Sequence, residues 1–163
     1  MSRRTLLVLI AAGTLALGAA GVAAAEPPIR FSEEVATSFT ADCGSFELLV
    51  ELEGKETVIL FLDAEGDVTR VFIAAPGASA SLTNVVTGAS VRLGLAGPGH
   101  IDVTPDGDVV RLVGPWLLDF DPETGEPGWF FVTGQVAFTE DATGRSDVSF
   151  NGRAVDVCAK LAA

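Results

Sequence analysis

The sequence predicts an all-β fold: a single antiparallel β-barrel of meander type closed by a disulfide, with a two-sheet β-sandwich as the alternative. Three observations predict it. Turn signals punctuate the chain at strand-like intervals, the segments between them alternate apolar with polar residues or are apolar throughout, and the only two cysteines, Cys43 and Cys158, sit near opposite ends of the expected domain. No window has a convincing helical period. Short strands at regular spacing are the mark of a β sandwich or barrel.

Taken in order, the chain opens with "MSRRTLLVLIAAGTLALGAAGVAAAEPP". A basic start at Arg3 and Arg4, an apolar run from Leu6 to about Leu17 and the small residues Ala23, Ala24 and Ala25 have the form of a cleavable secretion signal. The apolar run falls short of the ~20 residues a membrane span needs. Residues 1–25 are therefore expected to be a signal peptide, with the mature protein starting at Glu26 and released outside the cell. The arginine pair also has the look of a twin-arginine signal, but its basic region is very short, so general secretion is the expectation. Residues 26–41 are expected to form an N-terminal arm or leading strand, and residues 42–163 the barrel.

Within the domain, turns are expected at "LEGKET" (52–57), "DAEGD" (63–67), "APGAS" (75–79), "VTGAS" (86–90), "AGPGH" (96–100), "TPDGD" (104–108), "DPETGEPG" (121–128), "DATGRSD" (141–147) and "NGR" (151–153). These combinations of Gly, Pro, Asp and Asn supply the backbone angles that tight connections need. In "FELLVELE", Phe46, Leu48, Val50 and Leu52 share one face while Glu47, Glu51 and Glu53 share the other. Ile101 and Val103 likewise oppose His100, Asp102 and Thr104. Such strands are covered on one side and wet on the other. By contrast "TVILFL" (57–62), "VFIA" (71–74) and "WFFV" (129–132) are apolar on both faces. They call for cover on two sides, from the same chain, from an oligomer partner or from a bound apolar molecule.

Export makes the cysteine pair legible, because thiols outside the cytoplasm tend to oxidise and two cysteines can pair in one way only. A Cys43–Cys158 disulfide encloses nearly the whole domain, and closing a ring of ~100 residues is worth about 4–5 kcal/mol at most. In a barrel it would fasten the first strand to the end of the last, and closure would remove exposed edges. Losing residues 1–25 takes away Arg3 and Arg4 and no acidic residue, so the formal charge moves from −12 to −14. That balance excludes nucleic acid and anionic membrane surfaces as partners of the mature form.

From "CGSFELLVE" through "SLTNVVTGASVRLGLAGPGH", "PDGDVVRLVGPWLLDFDPETG", "WFFVTGQVAFT" and "DVCAKLA", the chain resembles a loose group of small secreted proteins of high-GC Gram-positive bacteria. The shared marks are Cys-Gly near the mature start, a Thr-Asn…Thr-Gly turn, a Gly before paired leucines, and Asp-x-Cys-Ala at the end. The resemblance implies a fold and imports no catalytic residue. A vaguer similarity to lipocalin-like barrels lacks that family's Gly-x-Trp on the first strand.

The chemical inventory is thin. His100 is the sole histidine, so a general base working near neutral pH would have to be it or an environment-shifted carboxylate. Ser79, Ser81 and Ser90 are available hydroxyls, but no G-x-S-x-G elbow presents one as a nucleophile. Asp119, Asp121 and Glu123 alternate like the start of a calcium loop, yet Thr124 and Phe130 stand where an EF-hand has Gly and Glu. No catalytic residue, metal ligand or cofactor is assigned. Trp116, Phe120, Trp129 and Phe131 form an aromatic concentration that is either core or the lining of an apolar cavity. The expected function is therefore a secreted, non-catalytic β protein holding a small apolar ligand on those four residues. A structural or interaction protein presenting a β surface to a partner or to itself is the alternative, and a hydrolase or isomerase the remaining one.

Overall fold

A computed structural model describes residues 27–162; the expected signal peptide and Glu26 lie outside the described residues. The described chain forms β1 (Ile29–Asp42), β2 (Glu47–Leu62), β3 (Val68–Ala74), β4 (Ser79–Asn84), β5 (Ser90–Gly94), β6 (Pro98–Asp102), β7 (Asp108–Val113), β8 (Trp116–Phe120), β9 (Pro127–Asp141), β10 (Gly144–Asp156) and α1 (Val157–Leu161). Strand accounts for 68% and helix for 4%, and every pairing is antiparallel, so the all-β expectation holds.

Two long strands organise the sheet. β1 lies along one edge of β2 without a register shift, from Ile29 opposite Leu60 to Asp42 opposite Glu47. The other edge of β2 is shared: Leu48–Glu53 pair with β4, and Thr57–Leu62 pair with β3. β9 repeats the scheme, with β10 along one edge and β8 and β7 dividing the other. β6 bridges β3 and β7, which joins the two halves, and β5 lies outside β4.

The expected turn at "LEGKET" is instead the point where β2 changes partners. Gly54 has φ 137°, and a Cβ there would overlap the backbone of Ala78 at the start of the β4 branch. A glycine can mark a close backbone approach as readily as a chain reversal. The expected turn at "NGR" is likewise interior to β10. Gly152 lies opposite Gly134 of β9, which has φ 128°, and neither position has room for a side chain.

The sheet is not closed, which corrects the barrel expectation. A barrel needs β1 beside β10, but β1 pairs only with β2 and β10 only with β9 among the described residues. The partner switches at Gly54 and in the Thr133–Gly134 region of β9 send β4–β5 and β8 off as branches. β4 supplies Ala80 and Leu82 to one buried cluster, and β8 supplies Leu118 and Phe120 to the other.

Two apolar clusters result. One joins Phe46, Leu48 and Val50, Ala80 and Leu82 of β4, and Val157 and Leu161 of α1. The other joins Val110 and Leu112 of β7, Leu118 and Phe120 of β8, and Val132, Val136 and Phe138 of β9. Burying each such Val, Leu or Phe stabilises the fold by roughly 1.5–3 kcal/mol before entropy is counted.

The Cys43–Cys158 disulfide is present, with a Cα–Cα distance of 5.4 Å. It does not close a barrel seam. Cys43 lies in the β1–β2 turn, and Cys158 lies on α1, a helix the sequence had not led us to expect. Asp156 caps this helix by accepting from the Ala159 amide, 2.9 Å away, and Val157 and Leu161 turn its apolar face into the first cluster. Buried Asn84 donates to the Leu161 carbonyl at 3.0 Å and accepts from the Val86 and Thr87 amides. Disulfide and asparagine together hold the C-terminal end against the β2–β4 branch.

Candidate functional site

The four aromatic residues expected to line one cavity are divided between two cores. Trp129 and Phe131 pack against the first cluster, where Trp129 lies 5.7 Å from the Phe39 ring. Phe120 belongs to the second, edge-on to Phe138 at 5.3 Å, with the Arg145 guanidinium 4.6 Å above its ring. Trp116 packs against the same cluster and donates from Nε1 to the Val113 carbonyl. Its indole occupies the space beside Gly97, where a side chain would collide with it, and packs closely on Gly99. The glycines of "AGPGH" thus serve packing as well as a turn. Both faces of "WFFV" are covered by the chain itself, because Trp129 and Phe131 serve one cluster and Phe130 and Val132 the other.

The outer half of β2 and its neighbours is different. Val58, Ile59, Leu60, Phe61 and Leu62, with Val71, Phe72 and Ile73 of β3, are all half-buried, and none belongs to either cluster. Neighbouring strands flank them, and among the described residues neither core cluster packs against them. On one face, register aligns Phe31 and Ile29 of β1 with Val58 and Leu60, then with Ile73 and Val71, and finally with Ile101 of β6 at the margin of the second cluster. Ile29 and Phe31 are 49% and 39% exposed, which leaves the outer end of this apolar row open to water.

The same face carries Glu33 directly opposite Glu56. Partial burial among apolar neighbours raises the Glu56 pKa above its ordinary value, and the Glu33 charge raises it further. Like charges opposed across a strand pair are destabilising. A carboxylate pair in an apolar row is thus poised to take up a proton.

The opposite face is aromatic and charged. Arg70 lies 6.0 Å from the Phe61 ring and binds Asp102 at 2.8 Å; Arg111 binds the other Asp102 oxygen. These two hydrogen-bonded guanidinium groups hold the Asp102 carboxyl below its ordinary pKa. His100 lies edge-on to Phe72 at 4.8 Å, with Arg111 as its neighbour on β7. The carboxylate two residues along is already engaged by the arginines, so His100 and Asp102 form part of an exposed ladder.

The acidic residues of the 119–126 segment do not converge. Asp119 pairs with Arg145 at 2.9 Å, and Asp121 accepts from the Glu123 amide to fix its own turn. Among the described residues no group of three or more His, Cys, Asp or Glu is placed to hold a metal ion.

A cleft of about 230 Å³ lies between β5, β9, β10 and α1. Val91, Leu93, Phe131, Val155 and Val157 form its apolar wall, and Arg153 and Lys160 contribute its cations. Phe131 is the one expected ligand-binding residue that reaches it. The apolar pattern of "TVILFL" and "VFIA" had called for cover on two sides, in strands that lie elsewhere in the sheet. Nothing local in the sequence marked the cleft, which the consecutive β9, β10 and α1 form with the distant β5. No family model, curated protein or solved structure matches the chain.

Proposed function

We propose that this is a secreted, non-catalytic β protein that presents the open sheet of β1, β2 and β3 to a protein partner. One observation carries the reading: among the described residues, strands apolar on both faces stay half-buried and outside both core clusters, and their row ends in the exposed Ile29 and Phe31. Contiguous exposed apolar surface marks interaction sites in soluble proteins. The disulfide is consistent with life outside the cytoplasm. The test places a photo-crosslinking phenylalanine analogue at Phe61 or Phe72 in the exporting cell. A discrete protein adduct is expected at both positions, with none from the same analogue at Phe120. Absence of any adduct at Phe61 and Phe72 overturns the reading.

A small apolar ligand is the second reading, and the cleft at Phe131 favours it. An apolar wall with Arg153 and Lys160 at hand, in a protein of strongly negative charge, suits a lipophile with a carboxylate head. Decanoate is the probe. Saturation at 100 times its dissociation constant adds ~2.7 kcal/mol to stability. A melting temperature unmoved by decanoate, in the parent and in Arg153→Ala alike, removes this reading.

A further inference from the structure

We infer that β1 is a self-pairing edge, through which two copies of the protein join by antiparallel β1–β1 addition centred on Val35; this goes beyond the β-surface reading, because it uses the outer edge of that sheet and leaves its faces free. β1 has 14 residues, pairs along its whole length with β2, and offers its outer edge to no other strand among the described residues. Most of its residues are exposed. An edge of this length is a template for another strand unless something guards it.

The remaining edges are guarded. β10 carries a register shift between Ser146 and Ser149, with Asp147 at φ 52°, and such a bulge twists an edge away from pairing. β5 and β8 have only five residues each. β1 has no bulge, no proline and no lysine; its charges are Arg30, Glu33, Glu34 and Asp42, so any pairing along it must keep like charges apart.

Its sequence suits a second copy of itself. With the two-fold at Val35, Val35 meets Val35 of the second copy, Phe31 meets Phe39 and Ile29 meets Ala41, all on the apolar face. On the other face Arg30 meets Thr40, Ser32 meets Ser38 and Glu34 meets Ala36. Glu33 meets Thr37. No like charges oppose each other, and Ile29 to Ala41 supplies about 44 Å of paired edge at ~3.4 Å per residue. Moving the two-fold to Glu33 or Glu34 would oppose two carboxylates. Moving it to Ala36 would set Glu33 against Phe39 and Val35 against Thr37. The Val35 register is also one that keeps the apolar rows of both copies on the same side of the joined sheet, because opposed residues in an antiparallel pair share a face. Closed two-fold pairing also consumes the open edge of both copies.

The test uses oxidised protein expressed from the full chain and recovered after export. Sedimentation is expected to give twice the monomer mass. Val35→Cys is expected to cross-link between copies, with the Cys43–Cys158 bond intact by peptide mapping. Ser38→Cys is not, because its counterpart lies about 20 Å along the strand. Thr37 is exposed, so its replacement leaves folding unchanged. Thr37→Glu, which faces Glu33 of the second copy, is expected to raise the dissociation constant at least tenfold, and Thr37→Lys to lower it. A monomer at 100 µM-scale concentration with no Val35→Cys cross-link overturns self-pairing, as does equal cross-linking at Val35 and Ser38. If Phe72 still gives an adduct with another protein while the chain stays monomeric, self-pairing falls and the β-surface reading stands.

Discussion

At the residue scale, two carboxyl groups on opposite faces of one sheet respond to pH with opposite sign. The Glu56 pKa is raised in the fold, by burial first and by Glu33 second, so the fold favours its neutral form. The resulting stability is fully present below the ordinary glutamate value and is lost as pH rises through the raised one. Glu56→Gln is therefore expected to raise the melting temperature at pH 7, an advantage that disappears by about pH 4, where unperturbed Glu is largely protonated. Asp102 is held low by its hydrogen bonds to Arg70 and Arg111, so its contribution is present above the ordinary aspartate value and lost as pH falls through the depressed one. Asp102→Asn is expected to melt earlier than the parent at pH 7 and to converge with it in strong acid. Melting curves across pH 2–8 check both, and convergence in the opposite directions would refute the assignment of causes. Gly97→Ala drives a methyl group into the Trp116 indole and is expected to cost about 1–3 kcal/mol in urea unfolding, with a shift in tryptophan emission.

At the scale of elements, α1 is too short to be stable alone; helices below about 12 residues are marginal in water. It exists because Asp156 caps it, Cys158 ties it to the β1–β2 turn, and Leu161 enters the core. Replacing both cysteines with serine is expected to lower stability by about 2–5 kcal/mol. Leu161→Ala is expected to cost about 2–4 kcal/mol, with hydrogen exchange rising first in residues 157–161. The helix was half legible: Asp156 before Val157 and Leu161 at i, i+4 is a start signal with one apolar pair, but five residues carry too little period to outweigh the strand pattern before them. Gly54 and Gly152 taught a related lesson. A glycine in a polar stretch reads as a turn, and only the backbone packed against it reveals a strand that runs on and changes partners.

At the scale of the whole molecule, the fully buried apolar residues lie in the two clusters, while the apolar rows of β1, β2 and β3 outside them are half-buried or exposed. Truncation separates the two regions. Phe120→Ala, in the second cluster, is expected to cost about 3–5 kcal/mol, whereas Phe72→Ala is expected to cost less than about 1 kcal/mol. Denaturant unfolding of both variants checks this, and equal large losses would mean that these rows are covered. An apolar dye should bind the parent more strongly than Phe72→Ser, because the uncovered face is where the two differ.

The sequence alone determined the strand content, the alternation that buries Leu48 and Val50, the cysteine pair and the strands apolar on both faces. Each of these is local, written in a period of two, in turn residues or in a count of two thiols. Tertiary structure decided which of those apolar faces found cover, that Trp116 and Phe120 separate from Trp129 and Phe131, and that the sheet stays open with β1 and β10 apart. Those outcomes depend on where β2 and β9 exchange partners. That exchange turns on backbone contacts at Gly54, Gly134 and Gly152 with segments 17–24 residues away in the chain, such as Ala78 and Asn151, and no short window of sequence contains both sides of such a contact.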